Sequence, residues 1–253
     1  SGGDVQNCVG GGPSGLCAVE DYRMGVAHAV AYEMTGVKID EDAVEMYFGR
    51  NFVPGGYAWI IPHGKGSANV GMGIRSAMCE PGVSFRDYLH RFIVEHPIAS
   101  GKLEGGEVTA FIAGIVPVGG ARQKTCAGNV MIAGDAAGHL IATNGGGIPT
   151  AMVAGKIAGE TAAEFIAGKC ALTDYEKRWR EQIGLEIKTA LYVRKLMDGL
   201  MRSDAMMSSA VKMISSEHMK SLQRGRLPDP VKKTLLGMNM GCAYQCTYSY
   251  MVH

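Results

Sequence analysis

The sequence lacks an excess of charge of either sign, a long apolar run and a paired arrangement of cysteines. Its 25 basic and 24 acidic residues give a net charge of +1, which argues against the basic surface of a nucleic-acid-binding protein. No apolar run reaches the roughly 18 residues of a membrane-spanning helix, and the first residues do not have the pattern of a secretion signal. The seven cysteines are odd in number and scattered, which favours a reducing compartment and a cytoplasmic location.

Glycine and methionine, by contrast, are abundant. The 36 glycines are about twice the usual share, and glycine occurs where a backbone turns sharply or approaches a ligand. The 16 methionines suit irregular apolar space. Those of the predicted helical tail could line an apolar tunnel: Met197, Met201, Met206, Met207 and Met213. A chain of 253 residues is long enough for one large domain or two small ones.

The order of predicted elements indicates a mixed α/β protein. Short β-like runs cover residues 25–34, 43–49, 56–64 and 67–76, and residues 63–66 are expected to form a hairpin turn between the last two. Further strand-like runs, "GEVTAFIAGIVPV" and "NVMIAG", follow a helix predicted over residues 84–96, with Ser84 as its N-cap and Pro97 ending it. We therefore expect a β-rich first half.

The second half is predicted to be helical from residue 148 to about residue 222. Its helical spacing predicts one apolar face, formed by Ile183, Ile187, Leu191, Leu196 and Leu200. The fold class expected is thus α/β (α+β), with a sheet-based lobe and a helical tail.

Two glycine-rich stretches are candidate cofactor sites. Gly10, Gly12 and Gly15 fit the pattern G-x-G-x-x-G after a short strand, which suits a turn that approaches a pyrophosphate; an ordinary glycine turn is the alternative. Glu33 lies near the distance at which such folds place a ribose-binding acid. None of this spacing is specific in a glycine-rich chain.

The second stretch, "GDAAGHLIATNGGGIPTAMVAGKIAGE" (residues 134–160), is the stronger one. Asp135 lies between small residues, and Gly145, Gly146 and Gly147 precede a helix. A helix N-terminus offers free N–H groups to electron-rich oxygens, and an aspartate nearby can accept hydrogen bonds from sugar hydroxyls. The alternative is a buried acid that caps a turn.

The stretch "GGYAWIIPHGKGSANVGMG" (residues 55–73) places Tyr57 and Trp59 two residues apart on a strand, so both rings face the same side. They could wall an apolar pocket or pack in a core, and spacing alone favours the core. The histidines show no paired ligand spacing, and Cys242 and Cys246 have no second pair to complete a metal site.

These residues resemble a known family. The stretch 134–160 is similar to the second flavin-binding motif of the geranylgeranyl reductases, FAD enzymes with the p-hydroxybenzoate-hydroxylase-like fold that include the digeranylgeranylglycerophospholipid reductases. Residues 57–73 resemble their signature Y-x-W-x-F-P, eight residues, G-x-G, with Ile61 in place of the phenylalanine. The resemblance covers about residues 25 to 225.

The resemblance implies an FAD-dependent oxidoreductase that reduces C=C bonds of geranylgeranyl chains in lipid or pigment precursors. Asp135 would hold the ribityl or pyrophosphate region of FAD, and the backbone of 145–147 would meet the flavin pyrimidine edge. Tyr57 and Trp59, with Gly71 and Gly73, would bind the prenyl chain. Tyr57 is a loose candidate for the proton donor.

One departure from the family affects the first glycine motif. Only residues 16–24 separate it from the strand predicted over residues 25–34, whose "AVAYEM" resembles a substrate-domain strand. Glu33 is therefore discounted as a ribose ligand, and we expect most of the N-terminal FAD lobe to be missing. The expected divisions are a remnant of the first FAD motif (1–24), a substrate lobe (25–120), the second FAD motif with its helix (121–170) and a helical region (171–253).

Two functions therefore stay open: the reductase, and an inactive prenyl-lipid-binding or scaffold protein that has lost flavin. A related FAD monooxygenase or electron-transfer dehydrogenase is disfavoured by the Y-x-W motif. The resemblance implies an electron donor, which is ferredoxin, a reduced deazaflavin or NAD(P)H, and it leaves association with the membrane surface open. A yellow purified protein would favour the reductase.

Overall fold

Five antiparallel strands form the main sheet, in the order β2–β3–β4–β1–β5. The computed structural model describes residues 25–213 and, beyond them, residues 215, 217, 218, 221, 224 and 226. The strands of the main sheet are β1 (Ala27–Thr35), β2 (Glu45–Tyr47), β3 (Tyr57–Gly64), β4 (Ser67–Ile74) and β5 (Glu107–Val116). A second sheet pairs β6 (Cys126–Ala127) with β7 (Val130–Met131).

Five α-helices complete the described part of the chain. They are α1 (Phe85–Glu95), α2 (Ala99–Leu103), α3 (Ile148–Ile166), α4 (Asp174–Leu200) and α5 (Asp204–Met213). Short 3₁₀ helices lie at Ser76–Met78 and Gly134–Ala137. The mixed α/β class expected from the sequence is confirmed, and the paired strands of both sheets are antiparallel.

Local sequence signals explain most of these boundaries. Helix α1 begins after Ser84, whose hydroxyl accepts a hydrogen bond from the Asp87 N–H (3.1 Å), while the Asp87 carboxylate accepts one from the Ser84 N–H (3.0 Å). This reciprocal pair satisfies two N–H groups that a helix start otherwise leaves without partners. The β3–β4 turn has Gly64, Lys65 and Gly66 at positive φ, so the predicted hairpin is confirmed.

The largest core lies between one face of the main sheet and helix α1. Alternate residues of β3 and β4, among them Ala58, Ile60, Val70 and Met72, are buried there against Tyr88, Leu89 and Phe92 of α1. A second buried cluster joins α3 to α4 through residues that include Ile157, Tyr175 and Trp179. Helix α1 does not cover the opposite face of the sheet, where the candidate site described below lies.

The apolar face predicted for the long helix is correct only in its first half. Ile183 and Ile187 are buried, but Leu196 is 41% exposed. The buried face continues instead through Ala190, Val193 and Arg194. The prediction failed because it followed large apolar side chains and passed over an alanine and a buried arginine.

Candidate functional site

Tyr57 and Trp59 face away from the core. The neighbouring residues Ala58 and Ile60 are 0% and 1% exposed and belong to the core under α1. Side chains alternate along a strand, so both rings lie on the other face of the sheet, where they are half-buried. The interpretation of the two rings as core residues is therefore wrong.

A mainly apolar cavity of about 170 Å³ lies against these rings. Its lining joins three parts of the chain that are far apart in sequence: the sheet, the turn at residues 142–145 and the end of helix α4. The lining residues used below are Tyr57, Trp59, Gly73, Arg75, Asn144, Gly145, Arg194, Met197 and Met201. The structure thus brings the two sequence motifs to one cavity.

The two glycines of the return strand are not equivalent. Gly71 lies under the Trp59 ring: a Cβ on Gly71 would come within 2.6 Å of Trp59 Cζ2 and 2.7 Å of the Ala31 Cβ. Gly73 lines the cavity, and a Cβ there would come no closer than 3.9 Å to the Trp59 ring. Gly71 therefore allows the ring to lie flat on the sheet, whereas Gly73 leaves space for a ligand.

The triple glycine forms a closed turn before helix α3. Gly145 has a positive φ of 70°, which glycine adopts at little cost. The Gly145 N–H donates to the Ile141 carbonyl (2.9 Å), and the Gly146 N–H donates to Asn144 Oδ1 (2.9 Å). Two of the three backbone donors are therefore used within the turn.

Tyr57 joins this turn to the sheet. Its hydroxyl donates a hydrogen bond to the Asn144 carbonyl oxygen over 2.6 Å. Burial raises the pKa of Tyr57 to about 12, so the phenol stays protonated near neutral pH. These properties describe a structural hydrogen-bond donor better than an acid.

Asp135 lies beside the start of helix α3. A Cβ on Gly147, the residue before the helix, would come within 2.7 Å of Asp135 Oδ1, so glycine is needed for this approach. The Asp135 side chain belongs to an exposed residue, which excludes the alternative of a buried acid. An exposed carboxylate and a helix N-terminus are thus adjacent.

A buried charged cluster forms one end of the cavity. Arg75 is 3% exposed and pairs with Asp198, which also pairs with Arg194 (3.0 Å). Arg75 Nε donates to the Gly55 carbonyl (2.7 Å), and its Nη2 lies 3.6 Å from Met201 Sδ. The cluster fastens the end of α4, with its methionines, to the sheet.

The other candidate residues differ in where they lie. Gly10, Gly12 and Gly15 lie outside the described residues. Of the methionines at the end of the helical region, Met197 and Met201 line the cavity, whereas Met206 is 52% exposed and Met207 is buried. Within the described part of the chain, no three metal-binding side chains come together, and none of its helices has the length and apolarity to cross a membrane.

The polar residues around Trp59 and the charged cluster were not among the predicted site residues. Asn69 and Glu33 are hydrogen-bonded to each other, and Asn69 is bonded to Trp59. One signal could have found Asn69: it lies two residues before Gly71 on a predicted strand and so shares its face. Arg75 and Asp198 are far apart in sequence and carry no local signal.

Comparisons with known proteins identify the family that this chain resembles. Residues 25–116 match the model of the geranylgeranyl reductase catalytic domain. Digeranylgeranylglycerophospholipid reductase 2 of Methanothermobacter thermautotrophicus is 38% identical over 199 residues, which are 77% of this chain and 49% of that protein. The reductase of Methanococcus aeolicus is 40% identical over 69% of this chain and 42% of its own length. The chain thus spans about half the length of these relatives.

Two solved structures also resemble this chain. A geranylgeranyl bacteriochlorophyll reductase-like protein from Thermoplasma acidophilum has a TM-score of 0.62 and 26% identity, over 75% of this chain and 52% of that one. The flavin-dependent brominase Bmp2, at 15% identity and a TM-score of 0.53 over 79% of this chain and 50% of its own, shares the fold. The resemblance to the geranylgeranyl reductase family is confirmed.

Proposed function

We propose that this chain carries the substrate-binding part of an FAD-dependent oxidoreductase that reduces C=C bonds of geranylgeranyl chains in lipid or pigment precursors. One observation carries the proposal: Tyr57 and Trp59 meet the glycine turn before helix α3 at a single cavity. The similarity to geranylgeranyl reductases supports the same reaction class.

The lining of the cavity suits a hydrocarbon chain. Its mainly apolar lining includes two aromatic rings, the side chains of Met197 and Met201 and the bare backbone at Gly73. Burial of apolar surface is favourable by about 25 cal/mol per Å², and thioethers adapt to irregular shapes. We therefore assign Tyr57, Trp59, Gly71 and Gly73 to prenyl binding, with Gly71 acting through the Trp59 ring.

The described residues fit one end of an FAD. The exposed Asp135 carboxylate can accept hydrogen bonds from ribityl hydroxyls, and the adjacent start of helix α3 offers N–H groups to an electron-rich ring edge. Since Gly145 and Gly146 use their N–H groups within the turn, we assign them to a close backbone approach and Gly147 to donation. When bound, FAD would supply the hydride.

Two further assignments come from the resemblance alone. We assign Gly10, Gly12 and Gly15 to binding the FAD pyrophosphate. We also propose that an electron donor (ferredoxin, a reduced deazaflavin or NAD(P)H) reduces the cofactor.

Tyr57 is better assigned to holding the turn than to donating a proton, because its hydroxyl already donates to Asn144 and burial raises its pKa.

A second function is a prenyl-lipid-binding or scaffold protein without flavin chemistry. The sheets of the described residues are antiparallel, so that part of the chain contains none of the parallel strand–helix–strand units that bind dinucleotides. The substrate cavity therefore does not depend on a dinucleotide-binding unit in these residues, and a protein without FAD could keep it.

Two measurements on the purified protein test the proposal. Flavin absorbance at about 450 nm supports the reductase, and its loss in a folded Asp135→Ala variant supports the role of Asp135. Titration with geranylgeraniol tests the cavity. We expect Trp59→Ala to weaken that binding while any bound flavin stays in place. A wild-type protein that binds neither molecule would contradict both functions.

A further inference from the structure

We infer that Asn69 and Glu33 are positioning residues, which hold the Trp59 ring in place as the wall of the prenyl cavity. The inference rests on the proposed function for the identity of the ligand. It adds two polar residues that touch neither the prenyl chain nor the flavin assigned above, and that act only through Trp59.

A chain of hydrogen bonds connects the three side chains. Trp59 Nε1–H donates to Asn69 Oδ1 over 2.7 Å, and Asn69 Nδ2–H donates to Glu33 Oε1 over 2.7 Å. The strand register explains how they meet. Asn69 on β4 lies directly opposite Glu33 on β1, and Trp59 on β3 lies opposite Gly71, the next residue on the same face of β4.

The chemistry of the three groups allows only one arrangement. An indole N–H can only donate, and an ionised carboxylate can only accept. The group between them must therefore accept on one side and donate on the other, as a side-chain amide does. Glu33 fixes the orientation of the Asn69 amide, and that orientation presents an oxygen to Trp59.

The outer end of this chain of bonds lies beside His63. Glu33 Oε2 lies 3.5 Å from His63 Nδ1, and the side chains of His63 and Glu33 are 52% and 29% exposed. The hydrogen bonds therefore run from a partly exposed carboxylate near the β3–β4 hairpin to the cavity. Glu33, discounted as a ribose ligand, has a different role in this arrangement.

The bonds fix the ring in directions that packing alone leaves free. Gly71 supports the ring from below, and the bond to Asn69 fixes its edge within the plane. A flexible hydrocarbon loses conformational freedom when it binds, and a wall that is already ordered avoids a further ordering cost. Asn69 thus improves prenyl binding without touching the chain.

The test combines indole NMR with ligand titration on the full chain. The two tryptophans, Trp59 and Trp179, give two indole N–H signals, which a Trp59→Phe variant assigns. We expect Asn69→Leu to shift the Trp59 signal and to speed its exchange with solvent. We expect the same variant to weaken geranylgeraniol binding about threefold to tenfold, as for one lost hydrogen bond.

Two sets of variants separate positioning from a general loss of structure. Thr125→Val removes the other indole hydrogen bond, from Trp179 to Thr125 (2.9 Å), and should shift only the Trp179 signal without changing the affinity. Glu33→Gln keeps an acceptor for Asn69 and should be nearly silent. Asn69→Asp should weaken binding because it places two carboxylates opposite each other, and adding Glu33→Gln to it should restore binding.

The outcomes distinguish this inference from the proposed function. If Asn69→Leu binds geranylgeraniol as tightly as the wild-type protein does, the positioning role alone is contradicted. An unchanged Trp59 signal in Asn69→Leu also contradicts it, and so does a double variant no tighter than Asn69→Asp. Absence of binding by the wild-type protein contradicts the proposed prenyl site, and the positioning role with it.

Discussion

Single residues at the cavity and beside Trp179 differ in the substitutions that they tolerate. Gly71 and Gly73 are two residues apart on β4 and face the same side, but only Gly71 lies under a ring. His139 is fully buried against Trp179, with ring centroids 4.3 Å apart, and neither of its ring nitrogens has a hydrogen-bond partner in the part of the chain that is described. Substitutions at Gly71 and at His139 are therefore expected to change stability in different ways.

Gly71→Ala is expected to displace the Trp59 ring and to lower the free energy of unfolding by about 1–3 kcal/mol, as overpacking does. The added methyl group would approach Trp59 Cζ2 and the Ala31 Cβ to less than 3 Å. Urea denaturation measures the change. Gly73→Ala is the matched control because its added methyl group clashes with nothing, and equal effects of the two variants would contradict this account.

Because His139 is buried, we expect acid to lower the stability of the folded protein. Burial, and to a smaller extent Arg180, lowers the pKa of His139 from its usual value of 6.5 to about 4. The unfolded chain therefore takes up a proton at a higher pH than the folded protein, so stability falls as the pH drops from about 6.5 to about 4. The full loss is on the order of 3 kcal/mol.

We expect His139→Phe to flatten this part of the profile of unfolding free energy against pH. The same profile is measured for His90→Gln, which changes an exposed histidine and leaves His139 in place. A slope that persists in His139→Phe would assign the effect to other groups.

At the scale of elements, the sequence predicted those features that depend on a few neighbouring residues. The cap of α1 and the β3–β4 hairpin follow from a few neighbouring residues, and both are correct. The direction of the Tyr57 and Trp59 rings, and the buried face of α4 beyond Ile187, depend on which element packs on which face. Strand alternation alone does not identify the core side, so spacing wrongly favoured the core for the two rings. The large apolar residues likewise misplaced the later part of the buried face of α4.

The end of helix α4 depends on the buried cluster of Arg75, Arg194 and Asp198. Asp198→Ala would leave two guanidinium groups without their shared carboxylate, and we expect it to lower the free energy of unfolding by about 3–5 kcal/mol. Urea denaturation is again the measurement.

Glu181→Ala is the control for this prediction. It removes an exposed partner of Lys177 on the same helix and should cost less than about 1 kcal/mol. A comparable loss in the two variants would show that the cluster contributes no more than a surface ion pair.

At the scale of the whole molecule, the sequence predicted both motifs but not the contacts that join them. Tyr57 and Asn144 are 87 residues apart, and Arg75 and Asp198 are 123 apart by their numbers. Both contacts connect the sheet of residues 27–116 to the segments that follow it, and all four residues line the cavity or hold its lining. Such contacts depend on the tertiary fold and leave no periodic signal in the sequence.

The hydrogen bond from Tyr57 to Asn144 provides the last test, because the two possible roles of this hydroxyl predict different results. If it joins the sheet to the glycine turn, Tyr57→Phe should lower the free energy of unfolding by about 1 kcal/mol and speed amide exchange at Gly145 and Gly146. The ring stays, so geranylgeraniol affinity should change little. Tyr88→Phe is the matched control: it removes a buried hydroxyl that accepts from the Glu80 N–H (2.8 Å), far from the turn, and should leave exchange at Gly145 and Gly146 unchanged. Unaltered exchange at the turn in Tyr57→Phe would refute the structural role and return the phenol to consideration as the proton donor.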